Sequence, residues 1–350
     1  NKMHRAEFEK LVAEGFELQK GGQAKVTVVA SAFKTFTGEV NWKYSDGEPV
    51  AQGSVKVSAE SAWDSISGQA TAQLVNDIQA APDLKLLKEG SNLEVNIAGS
   101  RVKDFGGSIG FLYGDDNWLK GLITVNKGST AKKVSGTASA AVVKAHPIDG
   151  TEITIMPGSN AKVVVANNDV KSFSGTLNFK YGEDPWLKGQ IKVAEGATAK
   201  KISGQIQASL SKYKRISDEI KFMEGGSLKA TFDGASVKQF SGNLTMGYED
   251  WLLGELKVDN SNLEDVTGSV KASLRKHKEI NADLMLKMGG SVELKLANSK
   301  MLSFSGDVNW SYQQWLEGNM KVANSTGKEL SGTASATIIQ QKMVGEGNKL

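Results

Sequence analysis

With 350 residues, 39% of them hydrophobic and 23% charged, the chain has enough apolar material for a folded core and is not a solvated tail. Its 42 basic and 39 acidic residues leave a formal charge of +3, too weak and dispersed for a nucleic-acid footprint. The absence of cysteine excludes disulfides, thiol nucleophiles and cysteine-ligated metals, and no apolar run is long enough to cross a membrane as a helix.

Residues 1–17 read as the tail of a preceding unit or a short capping segment: Phe8, Leu11 and Val12 suit a helix, whereas FELQKGGQ from Phe16 matches EIKFMEGGS from Glu219. Five tandem repeats of about 64–69 residues follow, at 18–83, 84–151, 152–218, 219–282 and 283–350. Each runs through four motifs in a fixed order. The opener is QAKVTV from Gln23, NLEVNI from Asn92, NAKVVV from Asn160, SLKATF from Ser227 and SVELKL from Ser291. Next comes a Phe-x-Gly motif at Phe36, Phe105, Phe173, Phe240 and Phe304. A Trp-Leu-x-Gly motif follows at Trp118, Trp186, Trp251 and Trp315, whose first counterpart, VAQGSVKV from Val50, lacks the tryptophan. The last is a Ser/Thr-Gly motif beginning at Ile66, Val134, Ile202, Val266 and Leu330.

Every motif alternates apolar and polar residues. Phe173, Gly175, Leu177, Phe179 and Tyr181 share one parity, and Ser174, Thr176, Asn178 and Lys180 the other. Side chains of a strand point to alternate faces, so the pattern predicts sheets with one dry and one wet face, whereas a helix would scatter it. Turn signals such as Gly182-Glu183-Asp184-Pro185 separate the motifs, and the 38 glycines against 5 prolines suggest many turns. The fold class is therefore all-β: each repeat is an antiparallel meander of four strands, or five if the segment before the opener forms its own. At that point two readings stand: Pro157-Gly158 fits a type II turn and a hairpin, while the common parity of Ile220, Phe222, Leu228, Ala230 and Phe232 fits one long strand with a glycine bulge.

A dry face of this extent needs cover. An elongated sheet or solenoid, curled or packed on itself, is one solution, and the small inward residues Ala70, Ala72, Ala138, Ala140, Ala208, Ala272, Ala334 and Ala336 suit close sheet-to-sheet approach. An open groove filled by lipid is the other. The tryptophans Trp118, Trp186, Trp251 and Trp315 form one row at one end of the strands, either a stacking ladder for glycans or covers for hairpin corners. Acidic pairs before them (Asp115-Asp116, Glu183-Asp184, Glu249-Asp250) supply too few oxygens for calcium. The recurring Ser-Gly steps sit in no nucleophile elbow, and the three histidines, His4, His146 and His277, lie in separate links and read as solvated. No catalytic group, cofactor or metal site is expected.

The Gly-x-apolar-x-apolar cadence resembles that of repetitive β-rich bacterial proteins, both toxin-enclosing shells and envelope lipid-groove proteins, although neither signature motif is present. The expected function is a non-enzymatic structural scaffold or shell segment of a larger secreted or envelope-associated bacterial protein. The alternatives are a lipid-binding β-groove and a carbohydrate-binding adhesin stalk. Expected partners are flanking domains or further repeats of the same protein, with lipid or glycan as ligands and no nucleic acid.

Overall fold

The alternating motifs all become strands. In a computed structural model, which describes residues 15–234 and 236–343, the chain forms 28 strands in a single antiparallel sheet that does not close into a barrel, with no helix among the described residues. The tail or capping segment expected at residues 1–17 falls largely outside the described residues.

The first motifs give β1 (Phe16–Leu18), β2 (Gln23–Val29), β3 (Ala32–Asp46), β4 (Glu48–Ser61), β5 (Gly68–Leu74) and β6 (Ile78–Ala81). The next give β7 (Leu84–Ala98), β8 (Arg101–Tyr113), β9 (Leu119–Ser129), β10 (Gly136–Val142) and β11 (His146–Pro147). Then come β12 (Ile153–Ile155), β13 (Asn160–Ala166), β14 (Asp169–Tyr181), β15 (Leu187–Ala197), β16 (Ser203–Leu210) and β17 (Lys214–Arg215). The fourth set is β18 (Ile220–Phe222), β19 (Ser227–Asp233), β20 (Ser236–Tyr248), β21 (Leu252–Ser261), β22 (Thr267–Leu274) and β23 (Lys278–Glu279). The last is β24 (Leu284–Leu286), β25 (Ser291–Ala297), β26 (Lys300–Tyr312), β27 (Leu316–Ser325) and β28 (Gly332–Ile338).

The question of four or five strands resolves in favour of the bulge. β18 and β19 both pair with β20 and run the same way along it, Phe222 opposite Met246 and Ser227 opposite Asn243, so four intervening residues on one side face two on the other. β24 and β25 do the same along β26. The Pro157-Gly158 step does make a local turn, with Gly158 at φ 88° and the Ser159 amide donating to the Met156 carbonyl, but it is the interruption of a strand. The extra strands are the two- to four-residue pieces β6, β11, β17 and β23, and β6, β17 and β23 are hairpinned back onto the strand that follows.

Three local devices recur. The hairpin between opener and Phe-x-Gly strand turns on two residues with positive φ: Ala30 and Ser31, Gly99 and Ser100, Asn167 and Asn168, Asn298 and Ser299. Two consecutive left-handed residues make a type I′ turn, whose twist matches that of the strands. A buried serine closes the next loop: Ser61 Oγ donates to the Ser67 carbonyl and accepts from its amide, both at 2.9 Å, and Ser129, Ser261 and Ser325 repeat this with Ser135, Thr267 and Ser331. Only the third copy has alanine there, Ala197, itself buried. Ala197→Ser is therefore expected to add the missing bonds to Ser203 and raise stability by about 1 kcal/mol, read as a higher urea midpoint; an unchanged midpoint would show that the loop already closes without them.

The third device corrects the reading of glycine as mainly a turn residue. Gly53, Gly121, Gly189 and Gly318 lie in mid-strand beneath an aromatic ring from the neighbouring strand, where any Cβ would strike Trp42, Phe111, Phe179 or Trp310. The ring covers the bare backbone of its cross-strand partner, as the registers Trp42–Gly53, Phe111–Gly121 and Trp310–Gly318 show.

Register separates the faces as the alternation predicts. Leu244 stands opposite Leu256, then Val270, Leu294 and Phe304 on successive strands, while Asn243 leads through Lys257, Ser269 and Lys295 to Ser303. Nearer the start, Val40, Val55, Ala70, Val95 and Phe105 form the matching apolar row. Among the described residues, the strands with extensive mutual contact are neighbours in these ladders. No second layer rests on the apolar face of the described residues, and Leu93, Ile123, Leu228, Val270 and Met320 on it are 47, 44, 48, 40 and 51% exposed. The small alanines thus lie between larger residues of adjacent strands, as Ala138 does between Ile123 and Val163, and do not mark a sheet-to-sheet contact.

The chain divides into two compact units: Asn1–His146, Ile155–Leu177 and Glu195–Ala199 in one, and Pro147–Thr154, Asn178–Ala194 and Lys200–Leu350 in the other.

Candidate functional site

In the second unit the apolar face is hollowed. β15 and β16 bring Leu187, Ala208 and Leu210, β18 brings Phe222, and β19 to β21 bring Leu228, Phe240, Leu244, Leu256 and Val258 around a concavity of about 460 Å³, with Trp186 at its rim. The bulge makes this possible: it carries the chain from Phe222 to Gly226, and the bare Gly226 lets the Leu210 side chain lie against the strand. Leu210 is the buried floor, while Leu228 is half open to solvent. The indole N–H of Trp186 is shielded from solvent and has no hydrogen-bond partner among the described residues, and Lys214 Nζ stands 5.4 Å from the centre of its ring. An apolar pocket with a cation beside one of its lining rings suits a chain of methylenes ending in an anion.

The tryptophan row does not stack on itself among the described residues. Trp118 lies flat on His146 at 4.1 Å, while Trp186, Trp251 and Trp315 meet Tyr181, Tyr248 and Tyr312 edge-on at 5.9, 6.0 and 6.4 Å. Trp251 and Trp315 donate their indole N–H groups to Glu249 and to Gln313. Each ring packs against the tyrosine that ends the preceding strand or the histidine of the following link, a hairpin-corner arrangement.

The acidic residues beside them are engaged by lysines of the following link. Asp184 pairs with Lys212, Asp250 with Lys276, and Glu249 with Lys278 at 3.2 Å. The hydrogen bond from Lys276 holds the Asp250 carboxyl below the usual range, and the Glu219 carboxylate raises the Tyr248 phenol. No group of three or more metal-ligating side chains occurs among the described residues. Of the histidines, His146 is half-buried on Trp118, whereas His277 is exposed as expected, its Nδ1 accepting the Met288 amide at 3.1 Å; His4 lies outside the described residues.

The opposite face is a lattice of amides, hydroxyls and ion pairs, including Ser54 with Thr71, Gln69 with Asn96, Gln190 with Asn178 and Lys127 with Glu94. It has its own hollows, one of about 690 Å³ in the first unit around Asn41, Lys43, Ser54 and Thr71, and one of about 510 Å³ in the second around Asn309, Glu317, Asn319 and Ser335. Sequence reasoning found the faces and the tryptophans but not the convergence of Leu210, Phe222 and Leu228. The shared parity of Phe222 and Leu228 across Gly225-Gly226 was the available signal. No family model matches the chain, and no curated protein matches it in sequence.

Proposed function

We propose that the chain is a non-enzymatic β-repeat scaffold, of a secreted or envelope-associated bacterial protein, whose uncovered apolar face takes up the hydrocarbon chain of an anionic amphiphile. The observation that carries this reading is the uncovered apolar face, on which Leu228, Val270, Val292 and Met320 of four different strands are each about half exposed. Each methylene removed from water returns about 0.8 kcal/mol, so a chain of about ten gains on the order of 8 kcal/mol before ordering costs. Lys214, with Nζ 5.4 Å from the ring of the pocket-lining Trp186, favours an occupant with a carboxylate or phosphate head. A second reading, a shell segment whose dry face meets another protein layer, is favoured by the same uncovered apolar face.

Native mass spectrometry with lipid extraction tests the first reading. The wild type is expected to carry acyl lipid in stoichiometric amounts and to bind a fluorescent fatty acid. Leu228→Asp is expected to weaken that binding at least about tenfold without loss of the sheet, because a carboxylate at a half-exposed position stays hydrated. A lipid-free wild type indifferent to the probe would overturn the proposal.

A further inference from the structure

The four tryptophan corners share one frame and differ in how it is completed. In each, the residue after the strand-ending tyrosine donates its amide to the carbonyl of the residue before β7, β12, β18 or β24. Gly114 donates to Asp83 at 2.8 Å, Gly182 to Glu152 at 3.0 Å, Glu249 to Glu219 at 2.6 Å and Gln313 to Asp283 at 2.7 Å. All four have a left-handed backbone, with φ of 92°, 103°, 46° and 44°. Gly114, Gly182, Glu249 and Gln313 therefore hold the same structural position.

At two corners that position supplies a side-chain oxygen, and both polar groups of the corner converge on it. Glu249 Oε2 accepts the Trp251 indole N–H at 2.5 Å and the Lys278 ammonium at 3.2 Å. Gln313 Oε1 accepts from Trp315 at 3.2 Å and from Lys342 at 3.3 Å. At the other two corners the position is glycine. Trp118 there lies on His146, an imidazole in place of the lysine. Trp186 keeps the lysine: Lys214 Nζ stands 5.4 Å from its ring centre, as Lys278 stands 4.9 Å from that of Trp251. No carboxylate pairs with Lys214 among the described residues, whereas its neighbours Lys212 and Arg215 face Asp184 and Asp218. Among the described residues, only the Trp186 corner thus combines the lysine with no oxygen to receive it, and Trp186 also lines the apolar hollow.

We infer, resting on the acyl-chain reading of this face, that the amphiphile is a fatty acid whose carboxylate takes at Lys214 the place that Glu249 takes at Lys278. The head group is a carboxylate because that is what the chain itself sets against the equivalent lysine one unit on. One unmatched positive charge beside an apolar hollow suits a single-chain monoanion. The Trp186 indole N–H takes no part in binding, since it is shielded from solvent and Gly182 lies against it, where a Cβ would come within 3.0 Å of Nε1. Lys214 is exposed, so its hold on the head group is that of a surface ion pair, modest and screened by salt. The corner of Trp251 is closed to the same ligand by Glu249, which makes the glycine at 182 the residue that decides where a head group can sit.

Calorimetric titration of the whole chain with decanoate and with decanol separates head from tail. The wild type is expected to bind both. Lys214→Met is expected to weaken decanoate binding about three- to fivefold and to leave decanol unchanged, and Lys214→Arg to recover most of the loss. Added salt is expected to weaken decanoate binding to the wild type and to have little effect on Lys214→Met. Lys278→Met removes the same charge from a corner where Glu249 already meets it, and is expected to change neither affinity. If decanoate and decanol both bind and decanoate is indifferent to Lys214→Met, the carboxylate site is overturned while the acyl-chain reading stands. If neither ligand binds, both fall. A loss in Lys214→Met that decanol shares, or an equal loss in Lys278→Met, would likewise overturn the inference, as the lysine would then act through packing or through overall charge.

Discussion

Leu274→Ala is expected to lower stability by about 2–4 kcal/mol, while Ile338→Ala at the equivalent place costs less than about 1 kcal/mol. Both are large aliphatic residues ending a Ser/Thr-Gly strand, and what differs is the neighbour. Leu274 is closed over by Gly290 and is 8% exposed, whereas Ile338 has nothing beyond it among the described residues. Truncating the first leaves a cavity beneath a rigid bulge, and truncating the second removes surface already half in water. Urea unfolding of the two variants, read beside hydrogen exchange in β22 and β25, checks the contrast, since units of a repeat array can open locally. Equal losses would mean that the joint contributes little and that stability lies within each meander.

Gly136→Ala is expected to cost about 3 kcal/mol, although it adds one methyl group. Gly136 opens β10 and is held between Val125 and Val165, where a Cβ would lie 2.0 Å from the Thr124 carbonyl oxygen, so β9 and β10 must part to admit it. Gly204 and Gly268 stand in the same relation to Lys192 and Lys257. Gly254→Ala is the control. An added Cβ there meets only Met246, at 3.8–4.0 Å, so the substitution is expected to be neutral or to stabilise by up to about 1 kcal/mol through the unfolded chain. Thermal melts of both variants decide the matter, and a tolerated Gly136→Ala would mean that the strand start relaxes freely.

Much of this architecture is legible in the sequence because strand periodicity is a local signal. The parity of Phe240, Leu244 and Met246 assigns them to one face without knowledge of any partner strand, and the registers agree. Non-local facts are less visible. Gly121 reads as a turn residue until Phe111 is known to lie opposite it, and no spacing in the chain states that pairing. Pro157-Gly158 advertises a turn truthfully, but whether the chain then reverses depends on β14, not on the turn. The alanines on the dry face satisfy two packings equally well, and only the exposure of Leu228 and Met320 distinguishes them. For the candidate site, the rim at Trp186 is visible as a motif and the floor at Leu210 is not, because Leu210 is covered only by the glycine bulge of the unit that follows.

The bulge has a consequence for how the array changes in length. Since each interrupted strand continues in its original direction, the long strands of a unit number four, and an even count hands the next unit the same polarity and the same dry side. Gain or loss of one whole period would therefore set a Ser/Thr-Gly strand against an opener again, the pairing already made at β5–β7, β10–β13, β16–β19 and β22–β25, with the wet and dry sides kept.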